Sequence, residues 1–201
     1  MTLQTVRGLI LLSFVCTALN AAPQFVPLFD GKTLKGWHKI GTGEWRIEKG
    51  AIQGLHRRTQ IRYGHLVSDK TYTNFTIRLE YKSVKGNSGL YVRADEAGWS
   101  GISGFQAEID PDKDTGGLYE TNGRGWVVKP KEEDVKKWYK PNEWNTMVVS
   151  AKGKDITVEV NGHKTAEVKN DKGRTFGKIA LQLHGTQEVE VWFRNIEIAE
   201  E

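Results

Sequence analysis

Cysteine is almost missing from this chain of 201 residues: Cys16 stands alone. One thiol near the N-terminus excludes an internal disulfide framework and a thiolate zinc site, and leaves the rest of the chain without a cysteine nucleophile. Long apolar runs are lacking too. The hydrophobic stretch Leu9 to Val15 is far shorter than the roughly 20 residues that span a bilayer. Charge of one sign is nowhere concentrated: 29 Lys and Arg sit among 25 Asp and Glu, for a net +4. The segment Lys129 to Lys137 alternates in sign, as a solvated loop or short helix does. No basic stripe carries interleaved aromatics, so nucleic acid is not an expected partner. The sequence also has no G-x-S-x-G, no G-x-x-x-x-G-K-[ST] and no H-E-x-x-H. His38, His56, His65, His163 and His184 follow no ligand spacing, so no residue is assigned to a metal.

What is present begins at the N-terminus. Arg7 precedes the apolar stretch, and small residues follow at Ala18, Ala21 and Ala22 before Pro23. This is the layout of a secretory signal peptide over residues 1–22. An uncleaved anchor is the rival. A lipoprotein reading through Cys16 fits less well, because bulky Phe14 and Val15 precede it. The expectation is an exported protein, periplasmic or extracellular, with no membrane contact after cleavage. Residues 23–201 then form a single domain of about 180 residues, enough for one core. Seven Trp supply packing that disulfides do not.

Period-2 alternation runs through nearly all of that domain. Phe75 to Tyr81, Gly89 to Arg93, Phe105 to Asp110, Thr146 to Ala151, Ile156 to Val160, Lys178 to His184 and Val189 to Ile198 each read as half-buried strands. Asn161-Gly162 lies between two such runs and predicts a tight hairpin. Short antiparallel strands without a 3.6-period stretch predict an all-β sandwich or jelly roll. The irregular part, roughly Asp110 to Asn142, is either a binding or lid element or a packed surface loop.

Alternation also sorts the polar residues. If Phe105, Ala107 and Ile109 face the core, then Gln106, Glu108 and Asp110 share the opposite face. The same rule puts Asn87, Tyr91 and Arg93 opposite Leu90 and Val92. It puts Glu80 opposite Leu79 and Tyr81, and Gln182 and His184 opposite Leu181 and Leu183. A sheet can show such a face to water with no further meaning. This face, however, is rich in amides, acids, Arg, Tyr and His, with glycines beside it that permit close approach. It is the candidate site. A divalent ion held by Glu108, Asp110 and a carbonyl remains compatible with it, though the pattern does not require one.

Several longer motifs carry a resemblance. Pro27-Leu28-Phe29-Asp30-Gly31-Lys32-Thr33-Leu34-Lys35-Gly36-Trp37 opens the domain. Gly86-Asn87-Ser88-Gly89 with Arg93, Gly104 to Asp110, and Thr115-Gly116-Gly117-Leu118-Tyr119 follow. Glu143-Trp144-Asn145, the Asn161-Gly162 pair, Ile179 to Gly185 and Phe193-Arg194-Asn195-Ile196 complete the series. In this order they resemble the 3-keto-disaccharide hydrolase domain family, from about Phe25 to Ile198. The resemblance implies a concanavalin A-like β-sandwich of two antiparallel sheets. It also implies cleavage of glycosides oxidised at C3, on a small carbohydrate substrate. Around Gln106 and Glu108 this chain has Gln and Glu in exchanged places relative to the family's commonest form.

A C3 ketone acidifies the C2 proton, so a base can remove it and the C1 oxygen can leave by elimination. That chemistry needs a base, a donor at the developing enolate and an acid for the leaving group. His184 or Glu108 serves as base, Arg93 as enolate stabiliser, and Glu80 or Asp110 as acid or positioning group. Asn87, Tyr91, Gln106, Tyr119 and Gln182 hold hydroxyls, and Trp99 or Trp126 stacks on a sugar ring. The rival reading is a non-catalytic, lectin-like carbohydrate-binding module. A two-carboxylate glycosidase fits less well, because Pro111 interrupts the strand and Lys113 stands where the second acid belongs.

Overall fold

The structure is a computed structural model that describes residues 24–98 and 100–201; the expected signal peptide and Trp99 lie outside the described residues. Strands β1 (Val26–Pro27), β2 (Trp37–Gly41), β3 (Glu44–Glu48), β4 (Ala51–His56), β5 (Gly64–Tyr72), β6 (Phe75–Lys85), β7 (Ser88–Asp95) and β8 (Ser103–Ile109) fill the first half. Next come β9 (Leu118–Thr121), β10 (Gly125–Val128) and the helix α1 (Glu132–Trp138). The strands β11 (Asn145–Lys152), β12 (Asp155–Val160), β13 (His163–Val168), β14 (Gly177–Leu183) and β15 (Val189–Glu200) close the chain. They form two antiparallel sheets. One runs β13-β12-β11-β6-β15-β4-β3 with β1 added on β15, and the other runs β10-β9-β8-β7-β14-β5-β2. The fold is an all-β sandwich, as the alternation predicts.

The core lies between the sheets and follows that alternation. Ile77, Leu79 and Tyr81 of β6 and Met147, Val149 and Ala151 of β11 face inward from the first sheet. Leu90 and Val92 of β7, Phe105, Ala107 and Ile109 of β8, and Ile179, Leu181 and Leu183 of β14 meet them from the second. Each large side chain buried this way stabilises the fold by about 1.5–3 kcal/mol. Since successive residues point to opposite faces, the burial that fixes this register also fixes which polar residues stand on the far side of β7, β8 and β14.

Two turns show how locally the pattern is specified. Asn161 (φ 49°) and Gly162 (φ 80°) join β12 to β13, both in the left-handed region that a two-residue hairpin requires. The stretch from Asp110 to Asn142 contains order as well as turns. There β9 and β10 pair as a hairpin that extends the second sheet, and α1 follows, with Val135 buried on the core. This hairpin becomes a wall of the site.

Candidate active site

The outer face of the second sheet holds a cavity of about 390 Å³. Its floor is built from neighbouring strands at matched register: Tyr91 of β7 opposite Gln106 of β8, and Gln182 of β14 opposite Gly89 of β7. Gln106 Nε2 donates to Gln182 Oε1 (3.1 Å), Gln182 Nε2 donates to the Tyr91 hydroxyl (3.1 Å), and that hydroxyl meets Thr121 Oγ1 (2.7 Å). These buried amides satisfy one another, which locks the floor. Gly89 makes the network possible. A Cβ there would lie 2.6 Å from the Gln106 amide. Beside the polar floor, Val67, Ala94, Ile102 and Ala180 form a small apolar patch with Tyr91.

One wall comes from β9 and β10. Tyr119 and Trp126 line the cavity with their rings edge to face at 5.3 Å. Arg124 holds this hairpin by pairing with Glu120 and reaching Asp171 (2.9 Å). At the end of β8, Glu108 is buried and accepts a short hydrogen bond from Asn87 Nδ2. Loss of water pushes its carboxyl up to about 8; the Asn87 hydrogen bond opposes this, and Asp110 and Asp114 add to it. At neutral pH Glu108 therefore carries a proton.

His184 stands at the end of β14, facing the same cavity. Its Nδ1 lies 2.6 Å from the Gly185 carbonyl, a pure acceptor, so Nδ1 carries the hydrogen. Its Nε2 lies 3.0 Å from the Tyr63 hydroxyl and accepts from it. Burial lowers the His184 pKa, against a smaller opposing effect of the Gly185 hydrogen bond, so the ring is neutral near pH 7. Beside the floor, opposite Gln182 in the β5–β14 pair, His65 is fully buried between Tyr63 (6.2 Å, stacked) and Tyr91 (5.7 Å, edge-on). Desolvation takes its pKa down to about 4. Neither of its ring nitrogens finds a partner among the described residues.

The cavity thus brings together His184, Glu108, Asn87, Tyr91, Gln106, Gln182, Tyr119 and Trp126. Asp110 sits at its edge, 3.4 Å from Asn87 Nδ2, and its own Oδ1 caps the turn at Asp112 (2.8 Å).

Two expected site residues are elsewhere. Alternation fails at Arg93 because β7 bulges between Val92 and Asp95. Arg93 adopts φ 52° and turns away from the cavity, donating to Gly153 O (2.8 Å) and Arg174 O (3.2 Å). Gly104 and Gly177 accommodate the bulge, since a Cβ at either would lie under 3 Å from the backbone at Arg93 or Ala94. Glu80 does point away from the core, but from β6, in the first sheet. There it accepts two hydrogen bonds from Arg194 (2.8 and 2.6 Å) and one from Asn195 (2.6 Å).

Tyr63, Asp114, Thr121 and Asn122 line the cavity without having been singled out in the sequence. Tyr63 precedes β5 in a loop of arginines, and its one signal is an aromatic residue beside Gly64-His65. Among the described residues, no group of three His, Cys, Asp or Glu is placed to hold a metal ion.

The family model described as a 3-keto-alpha-glucoside-1,2-lyase-like domain matches residues 24–199. The chain belongs to this family. A 3-keto-disaccharide hydrolase of Bacteroides thetaiotaomicron is 33% identical over 84 residues, which cover 37% of this chain and 29% of the relative. The chain thus spans under a third of that curated relative's length. Among solved structures, a Parabacteroides distasonis protein provisionally called a glycosyl hydrolase matches 88% of this chain and 94% of its own, with TM-score 0.66 and 22% identity. A carbohydrate-binding module, CBM66, from Bacillus subtilis matches 82% and 96%, with TM-score 0.65 and 16% identity. A Bacillus subtilis protein with a galectin-like fold reaches TM-score 0.68 at 13% identity, over 88% and 94%. These structural likenesses establish the sandwich fold. The family match makes the domain carbohydrate-active and hydrolase-like.

Proposed function

We propose that this chain cleaves the glycosidic bond of 3-keto glycosides by removing the C2 proton and expelling the C1 oxygen. One observation carries the reading: a neutral imidazole and a proton-bearing carboxyl face one cavity. Two titratable groups whose surroundings push their protonation apart supply the base and the acid. The imidazole side takes the C2 proton, and Glu108 gives its proton to the departing oxygen. With Arg93 committed elsewhere, the Tyr119 hydroxyl and the Asn87 amide serve the developing enolate oxygen. Gln106, Gln182 and Tyr91 position hydroxyls, and Trp126 offers a ring for stacking. Water then adds to the unsaturated product with the two roles reversed. The N-terminal pattern supports export, with action in the periplasm or outside the cell. Among the described residues no helix is long and apolar enough to cross a membrane.

The test is turnover of chemically prepared 3-keto glycosides, with the unoxidised parents as controls and EDTA in parallel. Cleavage of the oxidised sugars alone is expected. Affinity for either class without turnover would overturn the reading in favour of a binding module, and activity lost to EDTA would assign a step to a metal.

A further inference from the structure

Both nitrogens of His184 are occupied: Nδ1 by the Gly185 carbonyl and Nε2 by the Tyr63 hydroxyl. A substrate in the cavity therefore has no direct path to either nitrogen. Tyr63 itself lines the cavity, with its ring 4.6 Å from that of His184. The Tyr63 ring lies nearly parallel (12°) to that of the fully buried His65, 6.2 Å away. From this geometry we infer that Tyr63 is a catalytic residue: its phenol oxygen takes the C2 proton while its own proton passes to His184 Nε2.

The inference rests on the reaction proposed above. In that step the C2–H bond breaks, and its electron pair forms the C1=C2 bond as the C1–O bond breaks. The Tyr63 O–H bond breaks as its proton joins Nε2, leaving an imidazolium whose Nδ1–H stays on Gly185 and a phenol rebuilt with the substrate's proton. The leaving oxygen takes its proton from Glu108. Every proton and electron pair is accounted for without another reactant. Free phenolate is scarce at neutral pH, since burial raises the Tyr63 pKa. Simultaneous transfer to the imidazole removes the need for a free phenolate. Tyr91 meets the His65 ring edge-on, and His56 and Asp110 add charge effects on His184. None of these reaches Nε2.

The deciding experiment compares the intact protein with Tyr63→Phe and Glu108→Gln on two oxidised substrates. One is a nitrophenyl 3-keto glucoside, whose leaving group needs no acid, and the other is the methyl 3-keto glucoside. Tyr63→Phe is expected to lower kcat by about 100-fold or more on both substrates. It should also abolish deuterium uptake at C2 in heavy water. Glu108→Gln should lower kcat far more on the methyl substrate than on the nitrophenyl one, whereas Tyr63→Phe should lower both alike. A Tyr63→Phe protein that keeps C2 exchange and changes only KM would overturn the relay, as would a loss confined to the methyl glycoside. Wild-type protein inactive on both substrates would instead bring down the parent reading, and the relay with it. A second arm needs no substrate. Followed by NMR, the His184 pKa should rise by roughly half a unit or more in Tyr63→Phe, because the donor that favours its neutral form is gone. An unchanged titration would refute the hydrogen bond on which the relay stands.

Discussion

The outer faces of the two sheets carry the same kinds of residue, yet they leave those residues in opposite states. On the first sheet, Glu80 meets Arg194 and Asn195, and Glu197 meets Arg78 (2.7 Å), both in contact with water. Burial pushes the Glu80 carboxyl up, but the Asn195 amide and the Arg194 guanidinium outweigh it and hold the pKa below its ordinary value. On the second sheet, Glu108 is buried with an amide and, among the described residues, no cation paired to it, and its carboxyl keeps its proton to about pH 8. Glutamate alone therefore carries no functional message here. The partner and the access of water decide whether it is a surface charge or a proton donor.

The sharpest way to break this contrast is to exchange glutamine for each acid. Glu108→Gln should lower kcat on an alkyl 3-keto glycoside by about 10²–10⁴-fold, while Glu80→Gln stays within about twofold. Steady-state kinetics on purified proteins decides it; equal losses would erase the distinction between the faces. Next in size is the pH dependence of stability. The folded pKa of Glu108, about 8, lies above the ordinary glutamate value of 4.5, so its favourable contribution is complete below about pH 4.5 and is lost as pH rises through 8. The full difference approaches about 5 kcal/mol as an upper bound. Denaturant titrations between pH 5 and 9 should show a downward slope that Glu108→Gln flattens and Glu80→Gln leaves in place.

Gly89→Ala tests the floor. The added methyl displaces the Gln106 amide and should cost about 1–3 kcal/mol, seen as a lower Tm and a raised KM. The smallest effect belongs to the first sheet: Arg194→Ala should change stability by at most about 1 kcal/mol, because its ion pair is open to water and salt.

The same contrast explains what the sequence made legible. Alternation placed Tyr91, Gln106, Glu108 and Gln182 correctly on the non-core side because β7, β8 and β14 stay regular there and their apolar partners fill the core. It misplaced Arg93 because a bulge shifts the period, and only the nearby Gly104 and Gly177 hint at one. For Glu80 it found the right side of the strand but the wrong sheet. Period 2 reports in or out, and nothing in a single strand says which layer of a sandwich it joins. Tyr63 escaped for a third reason: it enters the cavity from a loop, where no period applies.

The displaced Arg93 has a consequence of its own. Its buried guanidinium joins the second sheet to the β11–β12 turn of the first, through Gly153, and to the segment before β14, through Arg174. This tie between the layers consists of hydrogen bonds alone, and residues 24–201 contain no cysteine. Refolding after denaturant is diluted away should therefore need neither an oxidant nor a disulfide isomerase, and reducing agents should leave its yield and rate unchanged.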